Sequence, residues 1–112
     1  MPGAVEPKYL YLTTTGRRSG LPREIEIWFT QRHGHYYLIS EHWGRAQWVR
    51  NLSADPRVRW RVGEVTFSGR ARTLDTAVHA GLIQEIQGLS RRKYGWGEGL
   101  VVELTPDLPS GK

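Results

Sequence analysis

The chain contains no cysteine. That excludes a disulfide framework, a thiolate metal site and a thiol nucleophile. Lysine is scarce as well, standing only at positions 8, 93 and 112, so arginine supplies nearly all of the sixteen basic residues. No apolar run approaches the length of a membrane span, and the N-terminus lacks a signal-peptide pattern. A cytoplasmic protein is the expectation. His33 and His35 flank Gly34, but no carboxylate or third histidine stands close to them in sequence, and no metal centre is expected. His42 and His79 stand alone.

What is present is aromatic surface and positive charge. Five Trp and five Tyr in 112 residues are enough for a folded core in one domain over 1–112, with 1–8 and 106–112 as loose tails. They exceed what one small core needs, and aromatics are enriched at interfaces, so a homodimer is expected. The net charge is +5. Arginine offers planar, bidentate donors suited to phosphate and carboxylate, so an anionic partner is expected.

Period-2 alternation predicts strands over Tyr9–Thr15, Arg23–Thr30 and Arg57–Val62, and His35–Glu41, Val65–Leu74 and Gly99–Thr105 also read as strands. Leu10 and Leu12 share one face of the first; Ile25, Ile27 and Phe29 share one face of the second. A helical period predicts a short helix over Arg45–Ala54, stopped by Asp55-Pro56, and a long one over Thr76–Arg92 with Asp75 as N-cap and Val78 in its apolar stripe. Gly69 reads as a bulge. The fold class is mainly β with two helices, in the order β-β-β-α-β-β-α-β, with six strands closing or nearly closing into a barrel.

Two stretches carry chemistry. The first is T-T-T-G-R-R-S-G-L-P-R, Thr13 to Arg23, a strand-to-strand loop that gathers hydroxyls, flexible backbone amides and guanidinium groups. It lacks the spacing and lysine of a Walker loop, and no helix follows it. Composition leaves two readings open: an anion site or a solvated basic hairpin. The second is the alternating R-V-R-W-R-V of Arg57–Val62. Its arginines make a solvated face or a groove for an acidic ligand or nucleic-acid backbone. Trp60 points away from them, which argues against base stacking and against nucleic acid as the partner.

The first loop, followed by a strand and then by Q-W-V-R-N-L-x-A-D-P-R-V, resembles the deazaflavin-dependent nitroreductases, split-barrel reductases that use coenzyme F-420. The resemblance covers roughly Leu10–Arg72. It implies a split β-barrel in which Gly16, Arg17, Arg18, Ser19, Gly20 and Arg23 hold the phosphate end of the coenzyme. It places Ile39, Ser40, Glu41, Gln47 and Trp48 beside the ring system. It also makes Tyr94, in the aromatic R-R-K-Y-G-W-G stretch, a candidate substrate contact or proton donor. The segment E-H-W-G-R is shorter than its counterpart in better-known members. The implied reaction is hydride transfer from reduced deazaflavin to an electron-poor small molecule such as a quinone, nitro compound or enone. The alternatives are FMN in the same fold, or a non-catalytic module that sequesters a flavin or haem.

Overall fold

The computed structural model describes residues 7–107. Of the loose tails expected over 1–8 and 106–112, residues 1–6 and 108–112 lie outside the described residues, whereas the Pro7 and Lys8 carbonyls accept hydrogen bonds from Lys93 and Tyr94 and Pro106 is the last residue of a strand. Along β1 (Tyr9–Thr15), Leu10, Leu12 and Thr14 are buried while the residues between them are not. That alternation turns one face of the strand inward, as period-2 patterning requires. β2 (Pro22–Trp28), β3 (Thr30–Arg32), β4 (His35–Ser40), β5 (Arg57–Val62), β6 (Val65–Thr73) and β7 (Leu100–Pro106) complete one antiparallel sheet.

The sheet has seven strands in the order β2-β1-β5-β6-β7-β4-β3, not the six expected. The predicted strand over Arg23–Thr30 is two strands. It breaks at Phe29, so that β2 pairs with β1 and β3 pairs with β4. The alternation of Ile25, Ile27 and Phe29 runs right up to this point, so it does not mark where the hydrogen-bonding partner changes. The two edge strands of the sheet are therefore consecutive in the chain. One residue joins them, and the sheet curls back on itself into an open half-barrel.

The concave side holds the larger core, which includes Leu10, Leu12, Phe29, Leu38, Trp60, Val102 and Leu104. Trp60, Tyr36 and Phe67 pack ring to ring there, with centroids 5.2–5.7 Å apart. α1 (Gln47–Ala54) closes one end by burying Val49 and Leu52. A 3-10 turn over Trp43–Arg45 leads into it. The second core lies under α2 (Ala80–Tyr94), where Ile83 and Ile86 meet Tyr37, Leu74 and Val101. β4 and β7 are thus buried on both faces, which is why their sequences read as apolar runs.

α2 begins later and ends later than expected. Asp75 does not cap it. Its carboxylate accepts from Ala77 N–H at 2.7 Å and its carbonyl from Val78 and His79, which makes a separate turn before the helix. Val78 falls in that turn and is exposed, outside the helix stripe. The helix stops at Gly95, whose left-handed φ of 80° lets its N–H reach Arg91 O at 2.8 Å. Gly69 is not a bulge. It pairs regularly with Val58, and a Cβ there would sit 2.0 Å from the Thr105 carbonyl oxygen, so glycine permits close approach of β7.

Glu103 is buried on β7, where Tyr37 O–H donates to it at 2.9 Å and Arg72 Nε at 2.7 Å. Burial pushes its carboxyl up, but the Arg72 and Tyr37 hydrogen bonds together outweigh that and hold it below its ordinary value. Burial, then the Glu103 contact, raises Tyr37. Because the folded value of Glu103 lies below the unfolded one, its contribution is complete above the ordinary value of 4.5 and is lost as pH falls through the folded value. Arg72→Ala should lower stability at neutral pH by about 1–2 kcal/mol, since the guanidinium is itself exposed, and should move acid unfolding to higher pH. Thermal melts across the acid range check this; an unchanged acid midpoint would contradict it.

Candidate functional site

The loop between β1 and β2 is closed by its own backbone. Gly16 N–H donates to Leu21 O and Gly20 N–H to Gly16 O, both at 2.8 Å, and Leu21 N–H donates to Ser19 Oγ at 3.1 Å. Gly20 sits at φ 74°, where glycine is favoured. A Cβ on Gly16 would stand 2.7 Å from Ser19 Oγ, 3.2 Å from Leu21 O and 3.3 Å from Arg23 Nε. The absence of a side chain at Gly16 is what lets Ser19 and Arg23 converge.

Arg17 ties this loop to α1. Its Nη1 donates to Asn51 Oδ1 and its Nη2 to Gln47 Oε1, both at 2.8 Å, and its backbone N–H donates to Asn51 Oδ1 at 3.2 Å. Asn51 is buried and donates through Nδ2 to Thr14 Oγ1 at 3.3 Å. Gly16, Arg17, Arg18, Ser19, Arg23, Gln47 and Asn51 line an open cavity of about 380 Å³. No carboxylate lines it, and among the described residues none pairs with Arg18 or Arg23. The expected phosphate residues come together here except Gly20. Gly20 lines a neighbouring groove with Thr13, Thr15, Arg57, Arg59 and Ser68.

A second and larger cavity, about 580 Å³, lies on the other side of the first turn of α1. One wall is Ile39, Ser40, Glu41, His42, Ala46 and Trp48, and it contains four of the five residues expected beside a ring system. The fifth, Gln47, lines the basic cavity. Consecutive helix residues point in directions about 100° apart, so Gln47 and Trp48 face the two cavities from one turn. Ser40 Oγ donates to Trp43 O at 2.8 Å, within a bend where Trp43 adopts φ 54°. Gly99 packs against the end of β4 so closely that a Cβ would lie 2.3 Å from Ser40 O.

The opposite wall is Tyr9, Glu26, Ile27, Trp28 and Trp96. Trp28 is a flat platform. Tyr94 stacks on it with centroids 4.4 Å apart and an interplanar angle of 3°, and Trp96 meets it edge-on at 6.4 Å. Sequence reasoning missed Tyr9 and Trp28 as cavity residues and Asn51 as the loop anchor. Trp28 pairs with Tyr9 at the end of the β1–β2 ladder far from the loop, and nothing in a lone asparagine on a helix marks it. Glu26 accepts from Tyr11 O–H at 3.1 Å. That hydrogen bond first, and the Glu26 charge second, raise the Tyr11 hydroxyl.

Tyr94 does not line this cavity. Its hydroxyl proton is shared between the carbonyls of Phe29 and Lys8, each at 2.7 Å, and Phe29 N–H donates back to it at 3.0 Å. Its ring backs Trp28 and its hydroxyl holds the β2–β3 crossing, so the structure gives it a positioning contact. Arg57, Arg59 and Arg61 face outward and Trp60 inward, as the alternation requires. Arg61 lies over the Tyr11 ring, 4.5 Å from its centroid. His35 Nδ1 is 3.0 Å from Thr105 Oγ1. Among the described residues no group of three metal-binding side chains forms. Nor is any helix of those residues long and apolar enough to cross a membrane.

A family model described as F420H(2)-dependent quinone reductase matches residues 3–95. No curated protein matches the chain in sequence. Solved structures share its fold. One, described as an F420-H2 dependent reductase (FDR-A), is 19% identical, with a TM-score of 0.73 over 93% of this chain and 99% of its own. The haem storage protein HutZ from Vibrio cholerae is 20% identical, with a TM-score of 0.76 over 93% of this chain and 84% of its own. A third, described as a domain-swapped dimer, is 20% identical, with a TM-score of 0.64 over 92% of this chain and 84% of its own.

Tyr94→Phe keeps the stacked ring and removes the hydroxyl. It should lower stability by about 1–2 kcal/mol, because Phe29 N–H loses its acceptor and two carbonyls lose a donor. Denaturant unfolding measures this; wild-type stability in the variant would show that the clasp contributes nothing.

Proposed function

The chain belongs to the F420H(2)-dependent quinone reductase family, whose model spans most of its length, and on that premise we propose how its two cavities divide the work of the reaction. Members are oxidoreductases that use coenzyme F-420. In our reading, Gly16, Arg18, Ser19 and Arg23 hold the phosphate end in the basic cavity, with Arg17 acting as the strut to α1. Ile39, Ser40, Glu41 and Trp48 contact the ring, and the wall of Tyr9, Trp28 and Trp96 receives an electron-poor acceptor such as a quinone, nitro compound or enone. Gly20 shapes the loop rather than touching the phosphate.

The observation that carries this reading is the first turn of α1. Gln47 lines a cavity with three arginines and no acid, and Trp48 lines a cavity walled by aromatics. A ligand with an anionic end and a planar end fits that pairing. The donor set also fits phosphate: two guanidinium groups free of carboxylates, a hydroxyl, and a glycine cradle that a Cβ would fill.

The bound coenzyme in its reduced form supplies a hydride. The chain's part is to bind and orient. The arginines fix one end, so that the other is held at a set depth against Trp48. Trp28, clamped by Tyr94, presents a rigid face against which a planar acceptor stacks. The aromatic walls exclude water from between the stacked partners. Since the Tyr94 hydroxyl is taken up by backbone groups, solvent is the proton source in this reading, and Tyr94→Phe should retain turnover. A drop of about a hundredfold or more would return Tyr94 to the role of proton donor.

A homodimer and a cytoplasmic location complete the proposal. The dimer draws support from the domain-swapped neighbour and from exposed Tyr9, Trp28 and Trp43. Sedimentation that shows only monomer at micromolar concentration would remove it.

The deciding experiment is titration of the cofactor-free protein with F-420, FMN and haem in parallel. F-420 should bind most tightly, and Arg18→Ala and Arg23→Ala should each weaken it about 10- to 100-fold through loss of a charge-assisted contact. Preference for FMN would move the protein to a flavin reaction in the same fold. Preference for haem would favour sequestration.

A further inference from the structure

The chain carries a net charge of +5, yet no lysine or arginine lines the 580 Å³ cavity. Its charged side chains there are Glu26 and Glu41, with His42 beside them. Glu41 has a local partner in the His42 ring, whose Nε2 lies 3.7 Å from its carboxylate. Among the described residues Glu26 forms no ion pair, and its one hydrogen bond comes from a neutral hydroxyl, that of Tyr11. The nearest sheet arginine by register is Arg61, paired opposite Tyr11, and it is drawn onto the Tyr11 ring and the Gly63 carbonyl instead. Arg61 therefore makes no ion pair with Glu26, and the other cation near this lining, Lys8 Nζ, stands 5.8 Å from the centroid of the Tyr9 ring.

Glu26 and Trp28 are two apart on β2 and project from the same face. An uncompensated carboxylate therefore stands beside the clamped indole platform. A π face and a nearby carboxylate are both attractive to positive charge and to N–H or O–H edges, and both repel anions. The two linings differ in charge: one has arginines and no acid, the other has carboxylates and aromatics and no lysine or arginine.

We propose that Glu26 and Trp28 set the charge specificity of the acceptor wall, favouring planar aromatic molecules that are positively charged or neutral and rejecting planar anions. This rests on the reading of the cavity as the acceptor site. It concerns which acceptors enter, not which cofactor is bound.

The test uses redox-inert probes, so that it does not depend on turnover. N-methylquinolinium, quinoline and naphthalene-1-sulfonate are titrated into the cofactor-free protein, with tryptophan fluorescence as the readout. N-methylquinolinium should bind about tenfold more tightly than the sulfonate. In Glu26→Gln, an exposed change that leaves the core untouched, that ratio should collapse toward one while quinoline binding stays within about twofold. Trp28→Leu should weaken all three. Equal binding of cation and sulfonate by the wild type, or a ratio unchanged in Glu26→Gln, would overturn the inference. The F-420 titration of the same wild-type sample separates the two claims. Charge preference without F-420 uptake removes the proposed cofactor and leaves this wall as a cation-selective site. F-420 uptake without charge preference does the reverse.

Discussion

Everything in this molecule turns on one residue, Phe29, where the chain passes from one edge of the sheet to the other. Its backbone leaves the β1 partnership and enters the β4 partnership within a single step, so its N–H and C=O belong to neither ladder. Buried backbone groups without partners are costly. The end of α2 supplies them: Tyr94 serves both groups through its hydroxyl, and Lys93 Nζ donates to Phe29 O at 2.9 Å while lying 3.9 Å from the centroid of the Phe29 ring. The same two side chains reach the carbonyls of Pro7 and Lys8, so the start of β1 is fastened at the same point. Gly95 ends the helix where this becomes possible.

That clasp has a consequence for chemistry. Trp28 precedes Phe29, so fixing the crossing fixes the platform, and the Tyr94 ring backs the indole while its hydroxyl holds the chain. Helix α1 plays the matching part on the other side. Arg17 and Asn51 bolt the basic loop to it, and its first turn separates the arginine cavity from the aromatic one. The barrel interior is filled by packed side chains. Both cavities border α1, and the larger is also lined by Trp28, which the clasp fixes, and by Trp96, just past the end of α2.

Much of this was legible in the residues. Alternation located β1 and β5 because each turns one set of side chains inward, and apolar content marked β4 and β7, which are buried on both faces. The basic loop was legible as a motif because glycine spacing and arginine content are local properties. The split of the second strand was not, since the alternation of Ile25, Ile27 and Phe29 carries up to the very residue at which the hydrogen-bonding partner changes. The delayed start of α2 was hidden for a related reason. Asp75 is as good at making an isolated turn as at capping a helix, and sequence does not distinguish the two.

The sequence by itself determined the β-rich class, the inward and outward faces, the absence of thiol chemistry and the gathering of Gly16, Arg18, Ser19 and Arg23 in one loop. These depend on neighbours a few residues apart. Only the tertiary structure decided that Gln47 and Trp48 face different cavities, that Arg17 is a strut, that the Tyr94 hydroxyl holds backbone, and that Glu26 stands uncompensated beside Trp28. Each of those depends on residues brought together from distant parts of the chain, and on where a hydrogen bond or an arginine is drawn when two partners compete for it.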